Sequence, residues 1–273
     1  MGRFKNPWGK GGEFWPPTWM GEEDEVTAVL DPTQDQNTSA QSQTKTALIC
    51  YGNGADLGNF EIFAKSLKKN DLSKKYKEGN IKIVKSFNRE DLVNAFLNSS
   101  LNELSEIHIF SHSAGAGLFL GYHIEEYGNE RNDFIANHPH PTYDEVVANE
   151  IASLLTDHLI ITYSTAKEAI QKKLKNLLFV KLWGCNTGVS GWVYDNSPYW
   201  GALNDKNVPK PSMAQALANF LDATVFGANS GSHIEYYIKG KWVSGYDYTP
   251  KSSKEYTDIR LYPDRGNFDP YSP

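Results

Sequence analysis

One stretch limits the possible folds of this chain more than any other. Leu177-Leu178-Phe179-Val180-Lys181-Leu182 is an apolar run that stops at Trp183-Gly184-Cys185-Asn186-Thr187-Gly188. A run of that length, bounded by turn residues, reads as a buried strand. Its cysteine then lies at a carboxyl end of the sheet, the edge where ligands and chemistry collect in open α/β sheets. Ile107-His108-Ile109-Phe110 has the same grammar and runs into Ser111-His112-Ser113-Ala114-Gly115, with His112 at the break. If both strands lie parallel in one sheet, His112 and Cys185 come out on the same edge. A thiol needs a base close by, because the thiolate is the nucleophile and a free cysteine is mostly protonated at neutral pH.

The rest of the chain alternates strand and helix around these two. Thr46 to Tyr51 reads as the first strand, Leu57 to Leu67 as a helix with Phe60, Phe63, Ala64 and Leu67 at helical spacing, and Ile81 to Val84 as the next strand. Asn88 is an N-cap for a helix carrying Leu92, Ala95 and Phe96 on one face. Leu118 to Tyr122 reads as a short strand, and Val146 to Leu155 and Ala166 to Leu174 as helices. Pro211 to Leu221 is a helix, Ala223 to Ala228 a strand, and His233 to Ile238 with Trp242 to Ser244 a hairpin at the sheet edge. The expected class is α/β: a mostly parallel sheet, helices on both faces, and a C-terminal edge hairpin. Residues 1–44 read as a Trp/Gly/Pro-rich leader and polar linker, 45–248 as the folded domain, and 249–273 as a tail that wraps or frays.

Charge and cysteine usage narrow the function. A net charge of -6 and a pI near 5.7 argue against a nucleic-acid partner. No apolar run approaches a membrane span, and residues 1–30 lack the basic-then-apolar pattern of a signal peptide. The expectation is a protein that stays in the cytoplasm or leaves without a cleaved signal. Cys50, inside a strand, reads as a small buried hydrophobe, and a disulfide to Cys185 is disfavoured. His138 and His140 lie among prolines without ligand spacing, so they read as loop residues and no metal or cofactor is expected. His123 and His158 are assigned to structure.

Two further readings use the same residues. Ser111-His112-Ser113-Ala114-Gly115 is close to a Gly-x-Ser-x-Gly nucleophile elbow, with Ser113 as the nucleophile of an esterase or lipase, Gly52-Asn53-Gly54 as its oxyanion loop, and Asp222 and His233 completing a triad. The other is a catalytically inactive binding module.

The order of motifs carries a family resemblance. A strand into Ser-His-Ser-Ala-Gly, a strand into Gly-Cys-Asn-Thr-Gly, the helix Ser-Met-Ala-Gln-Ala-Leu and the strand Thr-Val-Phe-Gly-Ala together resemble the caspase-like cysteine peptidases, over roughly residues 45 to 245. The likeness is greatest to gingipain-type and CHAT proteases and to domains of bacterial toxins and adhesins. It implies a caspase-like three-layer sandwich and a cysteine endopeptidase with His112 as base or acid and Cys185 as nucleophile. Backbone N–H groups of Ser113 and Cys185 would form the oxyanion hole. It also implies a protein substrate and a place in a larger secreted toxin or delivery system. The residue after the histidine is usually glycine in that group; here it is Ser113, which a turn of positive φ would strain.

Overall fold

In the computed structural model of the protein, the residues described are 45–53, 60–97, 104–121, 153–156, 158–190 and 211–273. Strand β1 (Thr46–Tyr51) is buried along its whole length. The chain returns through α1 (Glu61–Leu67), which runs on as a π-helical turn over Lys68–Leu72 and a last turn at Ser73–Lys75. Strand β2 (Ile81–Lys85) follows, then α2 (Arg89–Leu97), whose start is capped as the sequence suggests: the Asp91 N–H donates to Asn88 Oδ1 at 2.7 Å.

Next come β3 (Leu104–Phe110) and three short strands, β4 (His112–Ala114), β5 (Gly117–Phe119) and β6 (Ser153–Leu155). Helix α3 (Lys167–Lys173) leads to β7 (Phe179–Leu182). Helix α4 (Met213–Leu221) starts at Ser212, whose side chain accepts the Gln215 N–H, and ends at Asp222 in the left-handed region. Strands β8 (Thr224–Ala228), β9 (Ser232–Ile238), β10 (Lys241–Ser244), β11 (Asp258–Pro263) and β12 (Phe268–Tyr271) complete the chain.

The main sheet has the order β12-β8-β7-β3-β1-β2. Its five strands from β8 to β2 are parallel, and β12 closes the β8 edge antiparallel. Alternation along β1 divides the core. Leu48 and Cys50 join Leu92 and Phe96 of α2, Ile170 of α3 and Leu217 and Phe220 of α4. Ala47, Ile49 and Tyr51 face the other way, to Phe63 and Ala64 of α1 and to Ile259 and Leu261 of β11. Helices therefore cover both faces of a largely parallel sheet, the α/β class expected.

Three expectations are corrected. The hairpin of β9 and β10 forms, but not at an edge of the main sheet: β9 sits in the middle of a separate antiparallel sheet, β10-β9-β11, and β12 takes the edge. Residues beyond 248 do not simply fray, because β11 and β12 each supply a strand; alternate burial of Ile259 and Leu261 holds β11 down. The helix expected over 146–155 lies outside the described residues up to 152, and Ser153–Leu155 is a buried strand paired with β5. Tertiary pairing there overrides the local helical pattern.

Candidate functional site

Strands β3 and β7 are parallel neighbours, with Ile109 opposite Leu182, so the chain leaves both at the same edge of the sheet. After β3 it turns at Ser111 into β4, which pairs antiparallel with β5. His112 is half-buried, its imidazole edge-on to Phe60 with ring centroids 5.1 Å apart. Alternation sends Ser113 to the other side of β4, where its hydroxyl donates to the carbonyl oxygen of Cys185 at 2.8 Å. Gly184 makes this approach possible. A methyl group on its Cα would overlap the Ser113 hydroxyl and lie 2.7 Å from the Ser111 carbonyl oxygen.

The cysteine turn is tied down at both ends. Asn186 takes φ of 54°, and its N–H donates to Ser230 O at 2.8 Å. The Gly188 N–H donates to Ala228 O, and Thr187 Oγ1 accepts the Ala228 N–H at 2.9 Å. Cys185 is a free, half-buried thiol whose Sγ accepts the Ser232 N–H at 3.3 Å. Burial pushes this thiol above its ordinary value, the nearby Asp264 carboxylate adds to the rise, and the Ser232 N–H works against both. The resting thiol is therefore protonated at neutral pH.

The structure thus brings the strand carrying His112 against the turn carrying Cys185. Phe60, which His112 touches, belongs to the core on the α1 face, and Ser232, which Cys185 touches, opens a strand whose Ile234 and Tyr236 pack against that same core.

A second group of polar side chains lies beside Cys185, and in it His233 has a partner other than the Asp222 that the esterase reading gives it. His233 Nδ1 lies 2.8 Å from Asp264 Oδ1 and its Nε2 3.6 Å from Glu235 Oε1. The Tyr246 ring lies tilted against the imidazole, centroids 5.2 Å apart, and its hydroxyl donates to Asp264 Oδ1 at 3.3 Å. Glu235 also accepts from Arg260 Nε at 2.7 Å. Asp264 lies in the segment read as a tail, so no local signal could have paired it with His233.

The nucleophile-elbow reading does not match the geometry around Ser113. An elbow sets its serine on a strand-to-helix turn with an exposed hydroxyl. Ser113 is the middle residue of a strand followed by another strand, is buried, and has its hydroxyl committed to Cys185. Of the oxyanion loop, the Gly52 and Asn53 N–H groups donate to Phe110 O and Leu120 O, and Gly54 lies outside the described residues. Asp222 caps α4, while His233 pairs with Asp264 instead. Nor is Ser113 strained: the non-glycine residues of positive φ among those described are Asn186, Asp222 and Lys239.

His158 is structural, fully buried between Arg89 Nη1 at 2.7 Å and the Leu155 N–H at 2.9 Å. His123, His138 and His140 lie outside the described residues. Among those described, no group of three or more His, Cys, Asp or Glu is placed to hold a metal ion, and no helix is long and apolar enough to cross a membrane. Neither protein-family models nor curated proteins match the sequence.

Proposed function

We propose that this protein is a cysteine endopeptidase of caspase-like type, with Cys185 as nucleophile and His112 as general base and then acid. The observation that carries the reading is the Ser113 hydroxyl bonded to the Cys185 carbonyl, which couples the histidine strand to the cysteine turn at one sheet edge. The sheet order, five parallel strands with an antiparallel sixth between two covering layers, agrees with that class.

Because the resting thiol is protonated, attack begins with proton transfer rather than from a standing thiolate. As Sγ bonds to the substrate carbonyl carbon, its proton passes to the His112 imidazole. The oxyanion that forms takes hydrogen bonds from the backbone N–H groups of Ser113 and Cys185. The imidazolium then protonates the leaving amine, and water hydrolyses the thioester, restoring thiol and imidazole. The substrate is a protein, and an effector role in a bacterial toxin or delivery system follows from the same resemblance.

Parallel treatment of the folded chain with iodoacetamide and a fluorophosphonate, followed by mass mapping, tests this. The expected result is labelling of Cys185 that falls away in His112→Ala, with Cys185→Ala inactive on protein substrates. Labelling of Ser113 would overturn it. The raised thiol also favours a second reading, a binding module on the same fold, for which neither probe labels the native protein.

A further inference from the structure

A buried polar chain runs beneath the strand that ends at Cys185. The Tyr76 hydroxyl donates to Glu106 Oε1 at 2.7 Å, Glu106 Oε2 lies 3.3 Å from His108 Nε2, and Trp183 Nε1 donates to His108 Nδ1 at 3.2 Å. Glu106 and His108 are 6% and 3% exposed, so no water competes for these contacts. An indole N–H only donates, so Nδ1 must be an acceptor. His108 is therefore neutral, with its proton on Nε2 directed at Glu106.

Trp183 is held on every side. Its ring stacks on Phe110 at 5.3 Å, meets Phe268 edge-on at 5.1 Å and lies 4.0 Å from Lys181 Nζ, and its backbone N–H donates to Ile109 O. It is the first residue past β7. One glycine separates it from Cys185, and a side chain on that glycine would overlap Ser113.

We propose that Trp183, anchored by His108, is the positioning residue for Cys185: the indole-to-imidazole bond sets how the Gly184-Cys185 turn leaves β7, and protonation of His108 releases it. The proposal deepens the peptidase reading and rests on Cys185 being the reacting group. The chemistry is one of donors and acceptors. A protonated imidazole carries N–H on both nitrogens, so Nδ1–H would face the indole N–H with no acceptor between them. One of the two must move, and leaving both unmet in a buried site is costly.

The groups facing His108 fix the direction of the effect. Glu106 on its own strand favours the charged imidazole. Lys181 on β7 and Lys75 at the end of the α1 segment oppose it. Tyr76 is committed to Glu106, and β1 presents Ala47, Ile49 and Tyr51 on this face. Burial, the largest influence, acts with the two lysines to outweigh Glu106 and holds His108 below the ordinary histidine range, so release comes on acidification.

The test is made on the full chain. The indole N–H resonance of Trp183, identified by its loss in Trp183→Phe, is followed by NMR as pH is lowered from about 7 through the range in which histidines ordinarily titrate and on below it, for as long as the chain stays folded. The alkylation rate of Cys185 by iodoacetamide is measured in parallel near neutral pH in wild type, Trp183→Phe and His108→Gln. The expected result is one reversible step in the indole resonance, absent in His108→Gln, and an alkylation rate changed about tenfold or more in Trp183→Phe, as small misplacements of a reacting group produce. An indole signal indifferent to pH, or a wild-type alkylation rate in folded Trp183→Phe, overturns the proposal. If that variant does not fold, the wild-type titration, assigned through the backbone, decides alone. Neither readout needs a substrate, so a chain that cleaves nothing counts against the peptidase reading and leaves this one to its own measurements.

Discussion

The Ser113 hydroxyl donates to the carbonyl oxygen of Cys185 at 2.8 Å, and Gly184 is packed so closely beneath it that a methyl group there would overlap that hydroxyl. Ser113→Ala leaves the carbonyl without this donor and should cost about 1 kcal/mol of stability. Gly184→Ala forces the two segments apart and should cost about 1–3 kcal/mol or more, as overpacking does. Combining Gly184→Ala with Ser113→Gly should recover only part of the loss, because the Ser111 carbonyl still lies 2.7 Å from the new methyl. Urea unfolding of Ser113→Gly, Gly184→Ala and the double made from these two gives the coupling directly; additive losses would show that the two residues do not share a contact.

Asp264 should slow Cys185. Its negative charge disfavours the thiolate, so Asp264→Asn lowers the thiol's titration point toward the ordinary value and enlarges the thiolate fraction below it. Iodoacetamide labelling of Cys185 near neutral pH should therefore be faster in the variant, with equal plateaus well above the titration. Stopped-flow rates against pH measure this, and an unchanged or slower rate at neutral pH contradicts it.

Cys50 should make the fold sensitive to alkali. Burial pushes its thiol up to about 12, from an ordinary value of 9.0. Between those limits the unfolded chain gives up the proton and the folded chain keeps it, so unfolding gains in favour as pH rises. The stability present below about pH 9 is then lost progressively toward the folded value. Cys50→Ala should be less stable at neutral pH by about 1–2 kcal/mol for its lost packing, yet lose less on going to alkali. Urea midpoints of both chains at neutral and alkaline pH test the difference.

A chain cut at residue 248 should not fold. It would lose β11, which buries Ile259 and Leu261, and β12, whose Tyr271 hydroxyl bonds Gly188 O and Asn229 Oδ1 at 2.8 Å each. At about 1.5–3 kcal/mol for each large apolar side chain buried, that loss rivals the whole stability of a domain. Removing only β12 should leave a folded chain of lower thermal midpoint, because Phe268 no longer covers Trp183. Circular dichroism melts of the two truncations distinguish these outcomes.

Much of the architecture was legible from local pattern. The apolar run Thr46–Tyr51 forms a strand with those bounds, Asn88 caps the helix it precedes, and the runs ending at His112 and Cys185 become neighbouring parallel strands. These features depend on residues a few positions apart, where alternation, capping chemistry and helical spacing act directly. Asp258–Pro263 carries only a short alternation of Ile259 and Leu261 before its proline, and the polar, Pro-bearing Phe268–Tyr271 carries none; both are strands because partners exist for them. Ser153–Leu155 likewise follows β5 rather than its own helical spacing.

The sequence by itself determined the α/β class, the two strand ends and the residue types set there, because burial periodicity is written along the chain. The tertiary structure alone decided what surrounds the thiol: Ser113 on the Cys185 carbonyl, Ser232 on its sulfur, Asp264 beside it with His233, and His108 beneath Trp183. Those pairs join residues far apart in sequence, and hydrogen-bond direction and charge act through space only after the sheet has brought the groups together.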